Sequence, residues 1–278
     1  MSSAIYTQGM AAGKALIRLV MHLSVKLIVS GNIFLLLRLM LNHFRLFVLG
    51  KLRYWGDQDL YSEIRLWTNV IGLIKVDKAW VAQYRLEYPE AMDKLVNLVK
   101  LEFEVDRLRA LDVGSGPISR LRDGRDKFDL YCLDPLAREY RRLRKMSKME
   151  TDARFIQGTC EELDQIFTKE QFHLVYASNC LDHTRDPRRC MKQMLAVLKP
   201  YGIICIEGYV REGSHLGWYG LHKHDLIPIR PDLCLAGKAG KIANVTQALS
   251  LREVHFQRRV DHRWFSMAWQ KIPDSSSR

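Results

Sequence analysis

The chain has 278 residues, 47% hydrophobic and 27% charged, which suffices for one sizeable core with an appendage and excludes a disordered chain. Its six cysteines (Cys132, Cys160, Cys180, Cys190, Cys205 and Cys234) form no C-x-x-C pair, which argues against a disulfide framework and a zinc site. The formal net charge of +12 is uneven: no acidic residue precedes Asp57, while Lys14, Arg18, Lys26, Arg38, Arg45, Lys51 and Arg53 are all basic. A basic surplus points to nucleic acid, an anionic membrane or an anionic substrate, and its concentration in one apolar segment puts the membrane first.

Within residues 1–50 the longest charge-free run, Leu27 to Leu37, falls short of the roughly 20 residues of a spanning helix. Lys14, Arg18, His22 and Lys26 recur every fourth residue and form one polar stripe against Leu16, Ile17, Leu19, Val20, Leu23 and Leu27. Ser30-Gly31-Asn32 marks a break, after which Arg38, Asn42 and Arg45 repeat the stripe. Residues 1–50 therefore read as a basic amphipathic helical segment. Residues 14–50 suit peripheral contact of a cytoplasmic protein with the anionic inner surface of a membrane. Packing on the rest of the chain or on a second subunit, and a tilted span with snorkelling basic side chains, are the alternatives. Residues 51–98, with aromatics at Trp55, Tyr61, Trp67, Trp80 and Tyr84, read as a helical cap over the ligand cleft.

From Leu108 short apolar runs alternate with helical patterns, the signature of β-α units and a parallel sheet. The predicted strands are Ala110–Val113, Leu130–Leu133, Arg154–Ile156, Leu174–Ala177 and Ile203–Glu207, with helices at Leu136–Met146 and Pro187–Leu198. Glu253–Val260 and Trp264–Ile272 form an antiparallel hairpin at the sheet edge. The first strand runs into Asp112-Val113-Gly114-Ser115-Gly116, where two glycines let the backbone approach a ligand and a following helix would aim its amides at it. Asp134 ends the second strand, where a carboxylate accepts both hydroxyls of a ribose or, alternatively, caps the next helix. No G-K-S/T follows the glycines, which excludes a phosphate-binding P-loop.

These residues are similar to the class I S-adenosylmethionine-dependent methyltransferases, whose signature is an acidic residue followed by G-x-G at the end of the first strand. Asp112, Gly114 and Gly116 fit it. Phe155 to Leu163 (FIQGTCEEL) resembles the family's adenine-holding turn, Phe172 to Asn179 (FHLVYASN) its fourth strand, and Leu195 to Gly202 (LAVLKPYG) the turn into its fifth. The resemblance covers roughly Leu108 to Gly208. It implies an α/β fold with a seven-stranded Rossmann-like sheet over residues 99–278, preceded by an N-terminal helical extension. S-adenosylmethionine is the implied cofactor, bound by Asp112, Gly114, Ser115, Gly116, Asp134, Thr159, Cys160 and Asn179. Thr159 stands where many relatives have an aspartate, which leaves the adenine to its hydroxyl, the Cys160 backbone or Glu161. The series of later motifs sets the chain apart from NAD-dependent dehydrogenases.

Methyl transfer from a sulfonium is an in-line displacement, and a hydroxyl acceptor also needs a base. His183 follows the fourth strand and is the first choice, with Asp182 as its orienting partner; a purely loop-holding role is the alternative. His222, in the loop-rich, histidine-bearing stretch between Gly208 and the final hairpin, is the second. No metal site is expected there, because the i, i+2 pair His222 and His224 does not establish one. Gly220-Leu221-His222-Lys223-His224 loosely resembles a segment of bacterial methyltransferases of surface-polysaccharide and lipid-linked glycan pathways, which implies a small-molecule, glycan or lipid-linked acceptor. The place of a base-flipping tetrad is taken by Ser178-Asn179-Cys180-Leu181, which makes nucleic acid the less favoured acceptor. RNA ribose methylation and a catalytically degenerate binding or scaffold role stay as alternatives.

Overall fold

A computed structural model describes residues 58–76, 79, 81, 84, 86–147, 152–218, 220–259 and 263–273; the basic amphipathic segment 1–50 and the aromatics Trp55 and Trp80 lie outside them. The chain divides into two units, 1–80 and 81–278. In the first, helix α1 (Gln58–Val76) buries Ile64, Val70, Ile71, Leu73 and Ile74. Among the described residues no helix is long and apolar enough to cross a membrane.

The second unit is organised by strands that are apolar at nearly every position. In β1 (Leu108–Val113), Leu108 and Ala110 join one apolar cluster while Leu111 and Val113 join the other. The same alternation recurs in β4 (Phe172–Ser178), where Leu174 and Tyr176 oppose Val175 and Ala177. It recurs again in β5 (Leu198–Tyr209), where Ile203 and Cys205 oppose Ile204 and Ile206. Successive side chains of a strand point to opposite faces, so a continuous apolar run is what a strand buried on both faces requires. With each fully buried Leu, Ile or Phe side chain worth about 1.5–3 kcal/mol, these strands anchor the unit.

Together with β2 (Phe128–Asp134), β3 (Arg154–Gln157), β9 (Leu251–Arg259) and β10 (Trp264–Lys271), they form a seven-stranded sheet in the order β3-β2-β1-β4-β5-β10-β9. Strands β1 to β5 are parallel, and β10 runs antiparallel to both β5 and β9, as the terminal hairpin predicted. Helix α2 (Met92–Phe103) places Met92, Leu95, Val96 and Val99 at helical spacing on one sheet face. Helix α3 (Ala137–Ser147) connects β2 to β3, and the single turn α4 (Leu163–Ile166) precedes β4. Helix α5 (Pro187–Val197) lays Cys190, Met191, Met194 and Val197 on the other face. Asp186 caps it by accepting from the Arg189 amide at 3.0 Å, with Pro187 at the first helical position.

Helix α2 runs across residues 98 and 99 and covers a sheet face. Three expectations change. The glycine loop is followed by a 3-10 turn, Arg120–Gly124, instead of an α-helix. Strand β5 begins at Leu198, where a register shift opposite Phe172 and Leu174 and a left-handed Tyr201 (φ 63°) absorb the Lys199-Pro200-Tyr201-Gly202 turn. The stretch after β5, read as loop-rich, contains the short helical turn α6 (Glu212–His215) and a three-stranded antiparallel sheet. That sheet comprises β6 (His224–Ile229), β7 (Asp232–Gly237) and β8 (Ile242–Asn244). Pro228 and Pro231 disguised it, since proline within a run demotes a strand reading. Leu226, Leu233 and Leu235 nonetheless join the apolar cluster of the main sheet, and Trp269 Nε1 donates to the Pro231 carbonyl at 2.7 Å.

Candidate functional site

From β1 the chain builds outward to β2 and β3 on one side and, later, to β4 and β5 on the other. The carboxyl ends of β1 and β4 therefore flank the point where strand order reverses, the usual ligand crevice of such sheets. Gly114, Ser115 and Gly116 leave β1 there, Asp134 ends β2, and Asn179 follows β4.

Gly114 and Gly116 both adopt left-handed backbone (φ 66° and 60°), a region that costs glycine nothing. A Cβ on Gly114 would come within 2.4 Å of Cys180 Cβ, so the glycine loop and the turn after β4 are in direct contact. The loop amides are engaged within the protein: Gly114 and Ser115 donate to the Leu133 carbonyl at 2.8 and 3.2 Å, and Gly116 donates to Asp134 Oδ2 at 3.0 Å. This, with the 3-10 turn, replaces the expected fan of helix N-terminal amides. Asp134 Oδ1 also accepts from the Leu136 amide at 2.8 Å, so the capping reading of this residue holds and two donors fix the orientation of its carboxylate.

Asp112 is buried behind the loop and accepts from Ser119 Oγ at 2.6 Å. Burial, opposed by that hydrogen bond and by Arg120, pushes its carboxyl up to about 7. Because the ordinary value is 3.8, the unfolded chain gives up this proton first as pH rises, and the folded state loses relative stability from about pH 4 to about pH 7. Asp112→Asn, which keeps an acceptor for Ser119, is expected to flatten that part of the stability-against-pH curve in urea melts; an unchanged slope would show that Asp112 ionises normally.

Thr159 donates its hydroxyl to Glu162 Oε2 at 2.9 Å, at the head of a 3-10 turn, Cys160–Glu162. The Cys160 side chain lies in the apolar core near the Cys190 carbonyl, which leaves its backbone as the part available to a ligand. Asn179 is left-handed (φ 49°), its amide donates to the Glu207 carbonyl at 2.8 Å, and its buried Oδ1 has no protein partner.

Asp182 and His183 lie in a 3-10 turn, Leu181–His183, and His222 arrives from the segment before β6. The structure joins all three: His222 Nδ1 is 2.7 Å and His183 Nε2 3.3 Å from Asp182 Oδ2, and the two nitrogens are 3.1 Å apart. Two backbone-directed contacts brace this arrangement, Lys223 N to the Asp182 carbonyl at 3.0 Å and His224 Nε2 to the Thr184 carbonyl at 3.1 Å. Burial opposes charge on Asp182, but the His183 and His222 rings outweigh it and hold the carboxyl below its usual range.

Two features escaped the sequence. Glu212 stands 3.9 Å from His222 Nδ1 and hydrogen-bonds Asn179; burial and the Asp182 carboxylate push it up to about 7. No sequence signal marks it. Arg120, Tyr176 and Glu207 form a second buried cluster, with Arg120 paired to Glu207 Oε2 and Tyr176 donating to the same oxygen at 2.6 Å. An acid ending an otherwise apolar strand, as Glu207 does, was the available signal. A cavity of about 220 Å³ lined by Arg107, Arg109, Asp129, Gln171, His173 and Lys199 belongs to the opposite, amino ends of β1, β2 and β4.

Residues 111–206 match the family described as a methyltransferase domain. No curated protein matches the chain. Similar solved structures include a SAM-dependent methyltransferase from Methanosarcina mazei, 15% identical, covering 68% of this chain and 100% of that one at TM-score 0.46. Another is the 1,6-didemethyltoxoflavin-N1-methyltransferase of Burkholderia thailandensis, 17% identical, covering 66% of this chain and 79% of that one at TM-score 0.43. N-methyltransferase NodS from Bradyrhizobium japonicum is 14% identical over 66% of this chain and 96% of its own, at TM-score 0.43. Likenesses of this degree assign no substrate.

Proposed function

We propose that the protein is a class I S-adenosylmethionine-dependent methyltransferase, a reading that the match of residues 111–206 to a methyltransferase domain supports, and that it methylates a hydroxyl of a small-molecule, glycan or lipid-linked acceptor. The observation that carries this reading is the convergence of His183 and His222 on Asp182 in the turn that follows β4, against the glycine loop.

The site residues suit the cofactor. Gly114 and Gly116 allow close backbone approach, Asp134 would hold the ribose hydroxyls with an oriented carboxylate, and Thr159 with the Cys160 backbone would hold the adenine. The buried, unpartnered Asn179 Oδ1 suits a charged donor such as an ammonium. When bound, S-adenosylmethionine supplies an electrophilic methyl group on its sulfonium. The protein aligns the acceptor oxygen with that methyl and removes its proton. His183 takes the proton, with His222 beside it, and Asp182 stabilises the positive charge that the imidazole pair gains. Calorimetric titration with S-adenosylmethionine, using NAD as the control, tests the cofactor; a methyl-transfer screen across lipids and glycans then tests the acceptor. Absence of S-adenosylmethionine binding by the folded protein would overturn the reading in favour of a scaffold.

The basic apolar stripe of residues 14–50 supports peripheral attachment to an anionic membrane, which would bring the site to a lipid-linked acceptor. Deleting residues 1–50 is expected to abolish sedimentation with phosphatidylserine liposomes while leaving cofactor affinity unchanged. Undiminished sedimentation would reject attachment through this segment.

A further inference from the structure

Three ligand atoms, Asp182 Oδ2, His183 Nε2 and His222 Nδ1, form a triangle with sides of 2.7, 3.1 and 3.3 Å. Hydrogen bonding alone does not satisfy it. A single N–H lies along one edge only, so any placement of protons on two neutral rings leaves another edge with lone pair facing lone pair or hydrogen facing hydrogen. One cation above the triangle satisfies all three edges at once. Ligand atoms about 2.1 Å from an ion stand roughly 3.0 Å apart when cis in an octahedron and roughly 3.4 Å apart in a tetrahedron. The observed sides bracket the octahedral spacing, and the longest falls just short of the tetrahedral one.

Two further observations point to a ligand here. Asp182 is 1% exposed, yet its Oδ1 has no hydrogen-bond partner, an arrangement that costs a buried carboxylate dearly unless a charge offsets it. Glu212 Oε2, buried and likewise without a hydrogen-bond partner, is 3.9 Å from His222 Nδ1. Two imidazoles and one carboxylate on one face, with the remaining positions open, form a donor set for a divalent transition ion of the Zn²⁺, Fe²⁺ or Ni²⁺ class; oxygen-seeking Mg²⁺ and Ca²⁺ fit it poorly.

We propose that Asp182, His183 and His222 constitute a divalent transition-metal site, with Glu212 as a fourth ligand. Binding of the ion goes beyond the methyl-transfer reading and does not require it, whereas its consequence for turnover rests on that reading. An ion seated there occupies the lone pairs with which an imidazole would accept a proton, so the loaded protein is the silent form of the enzyme and the metal-free protein the active one.

The test uses the full chain, stripped with EDTA and titrated with Co²⁺ followed by visible absorption, and with Zn²⁺ by calorimetry. One equivalent of each is expected to bind. His183→Ala and His222→Ala should each weaken binding by more than about 100-fold, beyond the 10–100-fold cost of losing a mere outer-shell partner. His215→Ala, at an exposed position, should bind as the wild type does. Circular dichroism and melting curves of each variant report folding, and Asp182→Asn supplies a second variant of near-identical shape should an alanine variant unfold. Absence of Co²⁺ and Zn²⁺ binding at micromolar concentrations, or binding untouched in folded His183 and His222 variants, overturns the proposal. S-adenosylmethionine affinity measured on the same samples separates the two readings. Metal binding without cofactor binding removes the methyltransferase reading alone, and the reverse removes the metal site alone.

Discussion

Asp134→Ala is expected to lower S-adenosylmethionine affinity by about 100-fold or more in calorimetry. A hydrogen bond to a charged group is worth roughly 1.5–3 kcal/mol, and a carboxylate that holds both ribose hydroxyls makes two. The substitution has a second effect, because Asp134 accepts from the Gly116 amide at 3.0 Å and the Leu136 amide at 2.8 Å. Alanine leaves both donors without the carboxylate, so a lower melting temperature should accompany the lost affinity. Asp134→Asn separates the two effects. It keeps one oxygen for an amide and loses the charge, so it should recover much of the melting temperature and little of the affinity. Wild-type affinity in a folded alanine variant would leave Asp134 as a helix cap and loop brace only.

His183→Ala should reduce turnover by roughly 10²–10⁴-fold, the usual worth of a positioned acid or base, with cofactor affinity little changed. The same split is expected for His222→Ala, because the two rings share one carboxylate oxygen and stand 3.1 Å apart. Groups that act as a unit are not additive, so the double variant should be scarcely worse than either single one. Turnover at the wild-type level in folded His183→Ala protein would assign the base elsewhere, with Glu212 next in line on position. A loss confined to KM would instead mark the pair as part of the acceptor's binding surface.

Most of the sheet was legible because its strands are buried on both faces, which writes unbroken apolar runs such as Leu174–Ala177 into the chain. The hairpin β9–β10 was legible for the same reason, its β10 strand being apolar from Trp264 to Trp269 except at Ser266. Strands β6 to β8 were not, since prolines and short length erase a periodic signal. In the site, Gly114, Gly116 and Asp134 were readable from local spacing, because each serves a turn or strand end set by its neighbours in sequence. His183 and His222 could be named singly, but their meeting depends on a sheet fold that brings together positions 39 apart. Glu212 was beyond reach, since its burial arises from tertiary packing.

Among the described residues the three-stranded insert shares its apolar centre with the main sheet and the helix upon it: Leu226, Leu233 and Leu235 join Met194, Ile204 and Phe265. Swinging it aside would expose that common interior to water, a cost that rises with every apolar residue uncovered. The wall that carries His222 is therefore masonry and not a door. Under the proposed reading, discrimination among acceptors would rest on a contour set when the chain folds more than on any closure around them.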